Sequence, residues 1–254
     1  MTASGKLLSV VASVLIILSA TGAAFAQQGP PPIVHVTRVR VDTENLDAYL
    51  KFMKEKAIPA YHSSSLEWLH AWQVWPYGEG PSFIFATEVP NYAAFDGPHP
   101  LSKVMNQDEL SAFQAEMGKH VESWNTMALQ PLPDQSFMKE NPQLNSAVLF
   151  SADFAPGMRG QALEFLRQDI LPAMKKAGVE ACLSHAVMFG EGSDLVVVVL
   201  QPNFASLDKG HPVVQAYGPD MARNILARGE DLFINTTVIT LKYLPDLSFD
   251  KRAN

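Results

Sequence analysis

The chain has 254 residues, of which 26 are acidic and 19 basic, for a formal net charge of −7. An acidic balance without a Lys/Arg cluster excludes a surface built for nucleic acid or anionic lipid. The single cysteine, Cys182, excludes an internal disulfide, so stability has to come from packing.

The first 26 residues read as a secretory signal. Lys6 precedes the apolar run Leu7 to Ala20, and Ala24-Phe25-Ala26 before Gln27 has the small-x-small pattern of a cleavage site. The expectation is an exported protein, periplasmic or extracellular, with no membrane span in its mature part. A retained N-terminal anchor competes with this reading, because the apolar run is long for a signal.

Ile33–Val41 is β-branched and alternating, which predicts a strand. Asp42 or Thr43 can cap a helix whose apolar positions Leu46, Tyr49, Leu50, Met53 and Ala57 recur at helical spacing. Trp68–Trp75 and Ser82–Val89 are two strands joined by the Pro/Gly-rich turn Pro76–Pro81. Short helical pieces follow at Tyr92–Phe95 and Pro100–Met105. Asn106 with Glu109 predicts a capping box opening a helix to about Trp124, and Ala128–Leu132 predicts a last strand. Met138–Asn145 is a polar linker. The second stretch repeats this order: strand Ala147–Phe154, helix Gly160–Lys176, strands Ala181–Phe189 and Leu195–Gln201, a helix from Pro219, and strand Val238–Leu244.

The repetition is also literal. Gly78–Phe137 laid on Gly190–Phe249, an offset of 112, gives 17 identities in 60 positions, where ordinary composition gives about 4. Upstream, an offset of 113 aligns Leu50-x-Phe52 with Leu163-x-Phe165 and Ile58-Pro59-Ala60 with Leu171-Pro172-Ala173. The chain is therefore one module written twice, over residues 33–137 and 146–249. The order βαββαβ is the split ferredoxin-like unit, an α+β fold with helices on one face of an antiparallel sheet. Leu195 to Leu200 is apolar at every position, which demands burial on both faces. Packing the two open sheet faces together supplies that burial and predicts an intramolecular α+β barrel.

This arrangement resembles the dimeric α+β barrel superfamily, with the usual dimer fused into one chain. That group includes antibiotic-biosynthesis-type monooxygenases, NIPSNAP-like proteins, muconolactone-isomerase-like enzymes and haem proteins of the chlorite-dismutase type. The resemblance rests on element order and duplication, so it implies a fold and carries over no catalytic residue. It implies a monomeric pseudo-dimer or a homo-oligomer.

Several side chains are candidates for chemistry. The repeated Asp-x-x-His-Pro (Asp96, His99 and Asp208, His211) can supply two carboxylate–imidazole acid–base pairs. The same residues can instead close a turn and cap a helix begun by proline. His70 and His185 each precede an alanine in the second strand of their repeat, an offset of 115. Alternation puts His70 and Trp72 on one face and Gln73 on the other. With the first set facing the lumen, His70 and Trp72 line a pocket for a flat apolar or aromatic ligand, with Arg38 and Gln73 as further contacts. Arg38 and Arg40 share a strand face: facing the lumen the pair could bind an anionic ligand, whereas an edge strand would leave both solvated.

No cofactor is expected on these grounds. Haem held non-covalently is the alternative implied by some relatives, with His70, His185, His35 and His120 as axial candidates; no metal site has the spacing for one. Three functions stay open. The first is a small-molecule-binding protein, acting as a cofactor-independent oxygenase- or isomerase-like enzyme. The second is a non-catalytic interaction module with a packed lumen, and the third is a haem enzyme. Positions where the two repeats differ, such as Trp72 and the Arg38/Arg40 pair, are where a specialised site should show itself.

Overall fold

The computed structural model describes residues 32–253, and the expected signal segment Met1–Ala26 lies outside them. Among the described residues, no helix is long and apolar enough to cross a membrane.

The first repeat runs β1 (Ile33–Val41), helix α1, β2 (Trp68–Val74), β3 (Ser82–Val89), helix α2 (Gln107–Gly118) and β4 (Val121–Pro131). A two-residue strand, β5 (Phe137–Met138), follows. The second repeat runs β6 (Ser146–Phe154), helix α3, β7 (Ala181–Gly190), β8 (Leu195–Gln201), helices α4 (Pro212–Tyr217) and α5 (Pro219–Glu230), β9 (Phe233–Tyr243) and the short β10 (Phe249–Asp250).

Helix α1 is built from Leu46–Phe52, a π-helical turn Met53–Ala57, and Ile58–Ser63. Helix α3 repeats this with Arg159–Phe165, Leu166–Ile170 and Leu171–Ala177. The cause is a proline at the same place in each, Pro59 and Pro172. Proline has no N–H to give and its ring crowds the preceding turn, so the helix widens by one residue before it. Ile58 N–H accordingly reaches back to the Met53 carbonyl, and Leu171 N–H to that of Leu166.

The capping box forms as predicted: Asn106 Oδ1 accepts from the N–H groups of Asp108 and Glu109 at 3.0 Å, and Glu109 Oε2 accepts from Asn106 N–H at 2.9 Å. The helix it opens is shorter than its apolar spacing predicts. It ends at Gly118, and β4 starts at Val121 rather than Ala128. The reason is β1. It pairs along its length with β3 on one side and with β4, from Val121 to Leu129, on the other. A helix through Trp124 would leave that second side without ladder partners, and buried backbone groups have to be paired. β9 lengthens at its N-terminal end for the same reason, against β6.

Eight strands close into one barrel. β2, β3, β1 and β4 form one sheet and β7, β8, β6 and β9 the other, joined at both edges by β4 against β7 and β9 against β2. The lumen is filled from both sheets. Val36, Trp72, Val74 and Ile84 meet Ala147, Val196, Leu200 and Leu241 there. Leu195, Val197 and Val199 point the other way, against Leu166, Leu171 and Met174 of α3. Each buried Val or Leu contributes about 1.5–3 kcal/mol, so a sheet with one wet face would forfeit half of β8. The unbroken apolar run of β8 is thus explained by a barrel wall covered on both sides.

Candidate functional site

Neither of the two principal cavities among the described residues is in the lumen. A cavity of about 820 Å³ lies between the sheet and the helices of the first repeat. Its floor is the outward face of the barrel wall: His35, Thr37 and Val39 of β1, Phe85 and Thr87 of β3, and Trp124 and Thr126 of β4. Tyr49, Met53 and Tyr61 of α1 and Gln114 and Met117 of α2 form the wall opposite, and the loop Ala94–Pro100 forms the rim. The lining is mostly aromatic and aliphatic with a few polar groups, which is the usual make-up of a small-molecule site.

The polar groups are specific. His35 Nε2 lies 3.4 Å from the Thr37 hydroxyl, and the Phe95 ring stands 5.8 Å from the imidazole at 56°. Burial lowers the His35 pKa below its ordinary 6.5, so the ring is neutral at pH 7 and one ring nitrogen is free to accept a proton. Tyr49 is 1% exposed, its ring 5.1 Å from that of Phe83. Its hydroxyl and that of Tyr61 make no hydrogen bond to the protein among the described residues. Burial raises both phenol pKa values, and for Tyr49 the nearby Tyr61 adds to the effect. Both phenols stay protonated, as donors available to an oxygen on a ligand.

The second repeat has the same backbone and a different filling. Strand registers make the correspondence exact in residue terms. His35 faces Thr87 and Ala128 across its two ladders as Val148 faces Val199 and Thr240, and Thr37 faces Phe85 and Thr126 as Phe150 faces Val197 and Val238. Four polar cavity positions, His35, Thr37, Thr87 and Thr126, are thus Val148, Phe150, Val199 and Val238 in the other copy. Phe150, Phe154 and Phe165 then converge on Phe233, with ring centroids 5.9, 6.2 and 6.5 Å from it. Gly229 makes room, since a Cβ there would come 2.8 Å from the Phe165 ring; the first repeat has Met117 at that place.

The residues singled out from sequence fall elsewhere, with two exceptions, His35 and His99. His70, Trp72 and His185 do face the lumen, but neither principal cavity is lined by any of them, and Trp72 is part of the packed barrel interior. The larger of the two cavities therefore lies on the outer face of the wall and not in the lumen. His70 and His185 are not counterparts: strand pairing sets the offset at 113, so Leu183 stands at the His70 position and His185 at that of Trp72. Gln73 lies on the opposite face of β2 from Trp72, outside the cavity lining. Arg38 and Arg40 are not on an edge strand, because β1 is flanked by β3 and β4; they pair with Glu79 at 3.7 and 3.8 Å, and Arg40 with Glu122 at 2.9 Å.

The two Asp-x-x-His-Pro motifs serve the backbone. His99 Nδ1 accepts from Leu101 N–H and His211 Nδ1 from Val213 N–H, each at 3.2 Å, capping the helical turn that the proline begins. Asp96 and Asp208 are exposed and make no hydrogen bond to their histidines among the described residues. The acid–base pairs are not assembled. His99 is nonetheless one of the two exceptions, since it also lines the cavity rim.

No family model matches the chain, and no curated protein does. Solved structures do. A protein from Fusobacterium nucleatum described as a candidate monooxygenase superposes with a TM-score of 0.61 at 14% identity, over 88% of this chain and 96% of that one. An anthrone oxidase-like protein gives 0.60 at 10% identity, over 88% and 94%. A candidate chlorite dismutase gives 0.50 at 13% identity, over 86% and 96%. The fold is that of the dimeric α+β barrels. At these identities the likeness reaches the fold and not the chemistry.

Within a dimeric α+β barrel built from two repeats, each half can in principle hold a site, and here only the first has its polar set. Haem fits this cavity poorly. Its lining contains neither Lys nor Arg to meet the propionates; of its two histidines, His35 turns Nε2 to the Thr37 hydroxyl and His99 uses Nδ1 to cap Leu101 N–H. Among the described residues, no three His, Cys, Asp or Glu side chains cluster as metal ligands. His35, Thr37, Tyr49, Tyr61, Thr87 and Thr126 had no motif to announce them; the one signal was their replacement in the second copy.

Proposed function

We propose that the first repeat binds a flat, largely apolar molecule carrying a hydroxyl or carbonyl oxygen, and oxidises it with dioxygen without a bound cofactor. The observation that carries this is the exchange of His35, Thr37, Thr87 and Thr126 for Val148, Phe150, Val199 and Val238 at matched strand positions. A fold needs only one way to fill such a space, and the second repeat fills it with phenylalanine. The first keeps it open and lines it with donors and acceptors.

The chemistry follows from what lines the cavity. Neutral His35 accepts a proton from the activated C–H or O–H of the substrate, and the Tyr49 and Tyr61 hydroxyls donate to the oxygen on which negative charge develops. The electron-rich anion then reduces dioxygen directly. For a tricyclic ketone such as anthrone, one dioxygen gives one quinone and one water, with the two carbon-bound hydrogens leaving in the water. The acting form is the exported chain after loss of Met1–Ala26.

Anthrone is the probe, chosen because one structural neighbour is described as anthrone oxidase-like. The purified protein should quench its own tryptophan fluorescence on adding anthrone and consume one dioxygen per quinone formed. No quenching and no oxygen uptake above the buffer rate, across anthrone and its hydroxylated analogues, would sink the proposal. A Soret band in the purified protein would move the site to haem chemistry instead.

A further inference from the structure

The cavity does not end at its rim. A cleft of about 280 Å³ continues from it, and His35, Phe95 and Thr126 line both. The far wall of this cleft comes from the other repeat, as Phe189 and Gly190 at the end of β7. Phe189 is 63% exposed and Phe95 53%, so neither ring is held there by the core. The Phe189 ring meets that of Tyr92 edge-on, with centroids 5.4 Å apart at 84°.

Gly190 explains how the second repeat comes so close. Its φ is +109°, and a Cβ on it would lie 2.3 Å from the Thr126 carbonyl oxygen. With no side chain there, β7 lies tight against β4 and carries Phe189 to the mouth of the first repeat's cavity. The position matching Phe189 in the other copy is Tyr77, 75% exposed in the turn after β2, and the interior of the second repeat is filled by phenylalanines. The cleft is useful on one side of the molecule only.

We infer that this cleft is a second subsite for the same ligand, taking an aromatic ring attached to the flat portion held in the cavity. The inference rests on the cavity being the ligand site. Three phenyl and phenol rings presenting edges and faces favour an aromatic occupant over an aliphatic one, because edge-to-face pairs add attraction beyond the area they bury. Phe189 is then a specificity-determining residue supplied by the repeat that has no site of its own.

The test uses two unreactive probes, anthraquinone and 2-phenylanthraquinone, titrated against the mature protein by tryptophan fluorescence. The phenyl derivative should bind about tenfold more tightly to the wild type. Phe189→Ala should remove that advantage and leave the affinity for anthraquinone unchanged, with an unaltered thermal midpoint because the ring is mostly exposed. Equal wild-type affinities, or a Phe189→Ala loss shared by both probes, would overturn the subsite while leaving the cavity intact. Failure of both probes to bind the wild type would overturn the cavity reading and the subsite with it.

Discussion

The two repeats share a backbone plan and differ in what occupies the space between sheet and helices. In the second, Phe150, Phe154, Phe165 and Phe233 fill it, and Gly229 gives way to admit them. In the first, that space remains as a cavity of about 820 Å³ lined by His35, buried Tyr49, half-buried Tyr61 and three threonines. Close packing is the normal condition of protein interiors. A module that packs well once, and is left open in its other copy with polar groups aimed inward, shows that the fold itself does not require the opening.

Exchanging side chains between the repeats breaks the comparison most directly. Phe150→Thr installs the first repeat's residue in the second and should cost roughly 3 kcal/mol, at the low end for truncating a packed phenylalanine. Denaturant unfolding measures this; a loss under 1 kcal/mol would mean the second repeat is less filled than its ring contacts imply. The reciprocal Thr37→Phe places a ring in the cavity. Ligand affinity should fall on the order of 100-fold, about 2.7 kcal/mol, while stability stays level or rises. Unchanged binding in Thr37→Phe would put the ligand elsewhere.

The architecture was legible because it depends on pattern. The 112-residue repeat, the alternation in β1 and the apolar run of β8 each followed from a periodic physical demand, and together they forced a barrel. The site was not legible as a motif, because cavity-lining residues are scattered over β1, β3, β4, α1 and α2. His35 looked like any histidine in an apolar strand. Strand alternation assigns faces but does not say which face of the wall is packed, so Trp72 and His70 drew attention to the filled lumen. Where the copies differ, the contrast that opens a cavity is at Thr37/Phe150 and not at Trp72/His185. Asp-x-x-His-Pro misled in the opposite way: it recurs in both copies because both need a cap where the proline starts a helical turn.

The lumen also differs between the halves, at Trp72 and His185. Burial pushes the His185 pKa down to about 4, and its Nδ1 has no hydrogen-bond partner among the described residues. The unfolded chain takes up a proton near pH 6.5, while the folded chain resists until about pH 4. Stability should therefore be level above pH 6.5 and fall as pH drops between these values, by up to about 1.4 kcal/mol per unit from this group. His185→Leu should remove one proton's worth of that slope in unfolding curves taken from pH 7 to 4. An unchanged slope would show that His185 is solvated in the barrel.

The smallest effect lies where the first repeat's sheet parts to make room. β7 and β8 pair over six residues from Ala181 to Ala186, whereas β2 and β3 pair over only four, from His70 to Gln73. At the unpaired end the Thr87 hydroxyl donates to the Trp68 carbonyl at 2.6 Å, a side-chain substitute for a lost ladder bond. Val199 stands at the Thr87 position in the second repeat, where the ladder itself is longer and no hydroxyl is needed. Thr87→Val should then cost about 1 kcal/mol, the ordinary worth of one such hydrogen bond, although it copies a residue the other half uses freely. It should also raise amide exchange in β2 near Trp68 without altering exchange in β7. Equal stability in Thr87→Val would mean that the open end of the first sheet is held by its helices alone.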